Sequence, residues 1–129
     1  IKLVRDEFSI DNNRIYLWGH SMGGVGTYHI AAKHPEIFAG LGVAAPAPEG
    51  NHDIMATLEK IKHIPIFVLQ GDEDGLVTRT REWVETMEEI GMQHVYAEIP
   101  GGDHSLVISQ DSEHMQKFVD FFNIVRKKY

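Results

Sequence analysis

Short apolar runs alternate along the chain with segments whose apolar residues recur at helical spacing. Ile15-Tyr16-Leu17-Trp18 is a dense run that ends in Gly19, and it predicts a buried strand. Residues 22–33 then carry Met22, Val25, Tyr28 or His29, and Ala32 at helix spacing, stopping before Pro35. Phe38 to Ala45 is a second apolar run. Gly40 and Gly42 inside it predict a strand packed closely against its neighbours. A loop at Pro46-Ala47-Pro48-Glu49-Gly50 precedes a short helix over Asp53 to Ile61. Ile64 to Leu69 is the third strand, with Pro65 tolerable only near its start. Thr80 to Ile90 puts Trp83, Val84, Met87 and Ile90 on one face, and Gly91 sits where a helix C-cap belongs. Val95 to Ile99 is the fourth strand. Asp111 to Arg126 aligns Met115, Phe118, Val119, Phe122 and Val125, with Lys127 and Lys128 suited to the negative end of its dipole. Strands and helices thus alternate. That order, with continuous apolar strands, predicts an α/β fold: a mostly parallel sheet between two helical layers, joined by right-handed crossovers.

Length and composition narrow this picture. The 129 residues fit one domain, and no repeat, low-complexity tract or linker divides them. Twelve Lys and Arg stand against nineteen Asp and Glu, a net charge of −7. That balance opposes nucleic-acid or anionic-membrane binding, since both need a basic face to displace counterions. No cysteine is present, which removes disulfides, thiolate zinc sites and iron–sulfur clusters. No apolar run approaches the roughly 18 residues that cross a bilayer. A soluble protein is expected, of unassigned compartment. The chain opens on Ile1 as though already inside an element, so an upstream region, with or without a secretory signal, is expected to precede it.

The chemistry-bearing positions lie just beyond the predicted strands, where ligand crevices of parallel sheets form. Gly19-His20-Ser21-Met22-Gly23 is a G-x-S-x-G pattern between a strand and a helix. Such a turn pushes the serine Oγ out over the strand ends, and glycines on either side relieve collisions. The adjacent helix N-terminus points free N–H groups at developing negative charge. A serine needs a base, and the base an orienting carboxylate. After the third strand comes Gly71-Asp72-Glu73-Asp74-Gly75, and after the fourth Gly101-Gly102-Asp103-His104-Ser105. The order Ser, acid, His is the one such turns require. His104 alone of eight histidines follows a strand immediately. His20, beside the serine, is expected to point elsewhere if Ser21 points out. His29, His34, His52, His63, His94 and His114 read as solvated or ordinarily bonded, and no H-E-x-x-H cluster marks a metal site. Among the three adjacent carboxylates Asp74 is favoured, three residues after Gly71 and three before Val77, with Asp72 as the alternative.

The stretch Asp11 to Gly24, with Gly19-His20-Ser21-Met22-Gly23 at its end, resembles the nucleophile region of the α/β-hydrolase superfamily. It looks most like carboxylesterases of the polyhydroxybutyrate-depolymerase and feruloyl-esterase type, more distantly like prolyl-oligopeptidase catalytic domains. Gly71, Asp74 and Val77 are similar to the family's G-x-x-D-x-x-V acid loop, and Gly101-Gly102-Asp103-His104 to its histidine loop. The resemblance covers nearly the whole chain. It implies Ser21 as nucleophile, His104 as general base and then acid, Asp74 as orienting carboxylate and the Met22 N–H as one oxyanion donor, with no cofactor or metal. Many relatives carry proline after the aspartate; here Gly75 implies a looser loop. Members usually have four further strands before the nucleophile strand, and a loop after one supplies the second oxyanion donor. The four strands here correspond to the C-terminal part of that fold. Ile15–Trp18 would then be an edge, expected to pair with a second copy or an upstream segment, while residues 1–10 fold back as a helix shielding one face.

The function implied is hydrolysis of carboxylic esters, of short acyl or hydroxycinnamoyl type, with Ala45, Pro46 and neighbours in the 46–62 loop bounding the acyl pocket. A peptidase or thioesterase would use the same three residues. An inactive fragment serving as a structural or interaction module is the non-enzymatic alternative.

Overall fold

The computed structural model describes residues 1–48, 53–105, 108 and 112–127. The elements run α1 (Lys2–Glu7), β1 (Tyr16–His20), α2 (Met22–Lys33), β2 (Gly40–Ala44), α3 (Ile54–Ile61), β3 (Ile66–Gly71), α4 (Val77–Glu89), β4 (His94–Ile99) and α5 (Ser112–Ile124). All four strands are parallel and lie in chain order, β1-β2-β3-β4. With strands in that order, right-handed crossovers place the connecting helices on one face. Tyr28 and Ala31 of α2, Leu58 and Ile61 of α3, and Trp83 and Met87 of α4 pack there against Leu41, Val43, Ile66 and Val68. The other face carries α5, whose Phe118 and Phe121, with Val125 just beyond its end, cover Ala44, Phe67 and Leu69. The predicted three-layer α/β/α arrangement is the one observed.

Period-2 alternation divides β2 and β3 between these layers. Gly42 faces α5, and a Cβ there would come within 2.7 Å of both Phe118 and Trp18, so the glycine lets the aromatic rings lie on the sheet. Gly91 closes α4 with φ +68°, its N–H donating to Glu88 O while Met92 N–H reaches Met87 O, a Schellman cap. Asp53 caps α3 by accepting from Ala56 N–H at 2.9 Å.

Three packing expectations shift. Of the predicted α2 stripe only Tyr28 is fully buried, beside Gly24, Thr27 and Ala31, while Val25 and Ala32 are half-buried and Met22 is 81% exposed. Gly24, Thr27 and Ala31 let this helix approach the sheet, and Tyr28 fills the space toward Trp83. On α5 Phe121 is buried where Val119 was expected, because 118, 121, 122 and 125 form one stripe at i, i+3, i+4 and i+7 that leaves position 119 outside. Lys127 does not sit on the end of α5: its N–H donates to Asn13 O and its Nζ to Glu36 O, tying the chain's end to two loops. Lys128, His52 and the 49–52 part of the acyl loop lie outside the described residues.

The helix expected over residues 1–10 forms in part as α1 but shields nothing, since residues 1–14 are all exposed. On its outer side β1 has no strand partner among the described residues, and Trp18 is 37% exposed. No helix among the described residues is long and apolar enough to cross a membrane.

Candidate active site

Ser21 is both the residue after β1 and the N-cap of α2. A serine at an N-cap ordinarily turns its Oγ onto an amide of the first helical turn. Here φ 56° and ψ −119° carry the side chain away, and no such bond forms. The backbone is held in this uncommon conformation from both sides. Ser21 N–H donates to Ala44 O at 2.9 Å, and Ser21 O accepts from Gly24 N–H at 3.0 Å and Ala47 N–H at 3.2 Å. Such a conformation costs on the order of 1–3 kcal/mol and persists only where surroundings enforce it. Gly19 makes the turn sterically feasible: a Cβ there would lie 2.0 Å from Gly23 O. The second tight glycine is Gly24, against Pro46 at 3.0 Å, whereas a Cβ on Gly23 would meet nothing within 4 Å. The relief expected at Gly23 is therefore supplied one residue later.

The freed hydroxyl faces His104. Ser21 Oγ lies 2.7 Å from His104 Nε2, and His104 Nδ1 lies 2.7 Å from Asp74 Oδ2. A carboxylate accepts, so the neutral imidazole carries its proton on Nδ1 and receives the serine hydroxyl at Nε2. Asp74 is 6% exposed and its Oδ1 accepts from Leu76 N–H at 3.0 Å. Burial alone would raise its pKa. Hydrogen bonds from His104, the Leu76 amide and Gln70 outweigh that, holding it below the ordinary carboxylate value. Asp74 is thus ionised at neutral pH. Met22, the first residue of α2, bears one of the amides that a helix leaves without an intrahelical partner, beside Ser21.

Of the three adjacent carboxylates, the structure brings Asp74 alone to His104. Asp72 and Glu73 are exposed. Asp72 does something else: its Oδ1 accepts from Gly101 N–H at 2.7 Å, while Glu73 N–H donates to Gly102 O at 3.0 Å. These bonds lace the acid loop to the histidine loop. The lacing needs Gly71, where a Cβ would fall 2.1 Å from Gly102 O. The looser loop expected at Gly75 is not seen, because Asp74 closes the turn through Leu76 N–H and Val77 N–H.

His20 departs from its expected orientation. Its Nε2 donates to His104 O at 2.8 Å and its ring lies 4.8 Å from the His104 ring. Alternation along β1 does send His20 to the opposite side from its neighbours, but the histidine loop crosses on that side. Gln70 and Thr80, both fully buried, carry a second connection that the sequence reading missed. A glutamine ending an otherwise apolar buried strand was the available signal, since a buried amide must find partners. Ala45 and Pro46 are buried beneath the serine turn and do not form an open pocket wall. A cleft of about 480 Å³ lies at the other, amino-terminal end of the strands, between Phe38, His63, Gln93 and Arg126. No three potential metal ligands come together among the described residues.

A strained serine between a parallel strand and a helix, with an acid and a histidine from the loops after later strands, defines an α/β-hydrolase fold. The comparisons carry this further: the family model described as "Putative esterase" matches residues 1–117, and the chain belongs to that esterase family. A thermostable esterase of known structure superposes with TM-score 0.82 and 28% identity over 98% of this chain and 35% of its own. A ferulic acid esterase gives TM-score 0.68 at 19% identity, covering 92% of this chain and 53% of its own. The bifunctional acetylxylan esterase/xylanase XynS20E of Neocallimastix patriciarum is 31% identical over 77 residues, 60% of this chain and 11% of that protein. The chain therefore spans well under two thirds of the length of each.

Proposed function

We propose that this protein is a serine hydrolase that cleaves carboxylic esters through an acyl-enzyme. The observation that carries the reading is the unbroken line Ser21 Oγ, His104, Asp74, with both hydrogen bonds at 2.7 Å. His104 Nε2 takes the Ser21 proton as Oγ attacks the ester carbonyl, and Asp74 steadies the resulting imidazolium. The Met22 N–H stabilises the oxyanion at the helix N-terminus. The proton passes from Nε2 to the leaving alkoxide, and water activated by His104 then hydrolyses the acyl-serine. No cofactor enters these steps. Short acyl or hydroxycinnamoyl esters are the proposed substrates. The names of the acetylxylan and ferulic acid esterases support that choice.

Hydrolysis of p-nitrophenyl acetate and butyrate tests the reading. Turnover by the wild type that disappears in Ser21→Ala is expected. A folded wild type with no serine-dependent turnover would instead favour a structural or interaction module. The outer edge of β1 belongs to the same proposal. Tyr16 to His20 contains no proline, lysine or acidic residue, the devices that usually protect a free edge. A strand of a second copy or of a further stretch of polypeptide is proposed to pair there. Gel filtration over a range of concentrations is expected to show a dimer if the partner is a second copy; a monomer throughout would exclude that version.

A further inference from the structure

We propose that Gln70 and Thr80 form a positioning relay behind Asp74, fixing its carboxylate against His104 and tuning the basicity of that imidazole. The inference rests on the serine-hydrolase reading and deepens it. Gln70 is the penultimate residue of β3, and Thr80 lies on the first turn of α4; neither has any exposed surface. Gln70 Nε2 donates to Gly71 O at 3.1 Å and to Asp74 Oδ2 at 3.0 Å, while its Oε1 accepts from Thr80 Oγ1 at 2.8 Å. The amide orientation is chemically forced. Turned over, Oε1 would face a carbonyl and a carboxylate, two acceptors that give it no proton.

Every polar atom of the relay is thereby used. Asp74 Oδ2 receives both Gln70 and His104, and Oδ1 receives the Leu76 amide. The carboxylate cannot rotate without losing a bond at each oxygen. A donor competing for Oδ2 also draws charge from it, which moderates the pull on His104 Nδ1–H. Thr80 acts one step further back, by holding the Gln70 amide in register. Thr80, Gln70, Asp74, His104 and Ser21 thus form one continuous hydrogen-bonded line from the interior of α4 to the hydroxyl.

The two side chains touch no substrate, so their signature is in titration. Removing the Gln70 donor leaves more charge on Oδ2 and makes His104 more basic. Gln70→Glu is no such removal: without exposed surface and beside Asp74 its carboxyl stays protonated, and its O–H takes the place of the Gln70 donor.

The test follows the His104 imidazole by NMR titration, assigned with His104→Gln, alongside the pH dependence of kcat/KM on p-nitrophenyl butyrate. In Gln70→Met the His104 midpoint and the acid limb are expected to rise together by about half a pH unit or more. kcat is expected to fall about 10- to 100-fold, as typical for loss of an orienting partner, with KM within about two-fold. Thr80→Val is expected to move the midpoint less than Gln70→Met, Gln70→Glu to move it little because its protonated carboxyl keeps a donor on Asp74, and Thr80→Ser to retain wild-type behaviour. Folded Gln70→Met with a wild-type His104 midpoint and acid limb would overturn the relay. Should that variant not fold, Thr80→Val decides alone, and a wild-type midpoint there overturns it too. Ser21→Ala separates the two layers: if it keeps wild-type turnover the hydrolase reading falls, whereas an essential Ser21 with unmoved titrations sinks the relay only.

Discussion

Thr80 and Arg81 are consecutive on α4 yet enter two different polar networks. Thr80 points inward and reaches Asp74 through Gln70, all of it buried. Arg81 points outward and grips Glu98 of β4 with two bonds of 2.8 and 3.0 Å, while Tyr96 donates to the same carboxylate at 2.8 Å. In both networks the carboxylate is held below its ordinary pKa, but for different reasons. At Glu98 the Arg81 hydrogen bond dominates and Tyr96 adds to it. At Asp74 burial opposes ionisation and must be overcome by three donors acting together. An exposed ion pair is screened by water and salt and tolerates the loss of a member. A buried carboxylate has no such substitute, so each donor around it matters to geometry and to charge.

The largest contrast is expected from the carboxylates themselves. Asp74→Asn should lower kcat/KM for p-nitrophenyl butyrate by about 10⁴-fold, since an amide favours the wrong His104 tautomer. Asp72→Asn should be mild, because its Oδ1 can still accept from Gly101 N–H. The reverse order would break the assignment of Asp74. Asp74 also links to acid stability. Its folded pKa is depressed, so its contribution is present above the ordinary carboxylate value and is lost as pH falls through the folded value. The unfolding midpoint of Asp74→Asn should therefore fall less steeply with acid than that of the wild type.

Next in size is Gly71→Ala. Its Cβ would lie 2.1 Å from Gly102 O, so the acid and histidine loops must separate. A loss of about 1–3 kcal/mol or more in chemical denaturation is expected, together with slower turnover. Gly75→Ala, four residues along the same loop, meets nothing within 4 Å and carries no positive φ. It should stabilise by about 0.4–1 kcal/mol by restricting the unfolded chain. Glu98→Gln is expected to have the smallest effect: turnover within about two-fold, and a small drop in unfolding midpoint that added salt erases.

The same contrast explains what could be read in the sequence. The parallel α/β order was legible because β2, and β3 as far as Leu69, are apolar, and Gly91 stood where α4 needed its cap. The meeting of Ser21 with His104 was legible because loops that follow parallel strands converge at one end of the sheet. The packing face of α2 was not, since Gly24, Thr27 and Ala31 carry too little hydrophobic signal to mark it. His20 was misjudged because periodicity gives the side to which it points but not the loop that crosses there. Gln70 and Thr80 escaped for a related reason. Their partner Asp74 is a neighbour in sequence, but nothing in the spacing shows that one glutamine amide can reach a carboxylate and a helix hydroxyl at once.

The most direct test is labelling with a fluorophosphonate, followed by peptide mass mapping, in the wild type, His104→Ala, Asp74→Asn and Glu98→Gln. A single adduct on Ser21 is expected, its formation slowed by orders of magnitude in His104→Ala and Asp74→Asn and unchanged in Glu98→Gln. Labelling that maps elsewhere, or that proceeds on Ser21 at the wild-type rate without His104, would contradict this expectation.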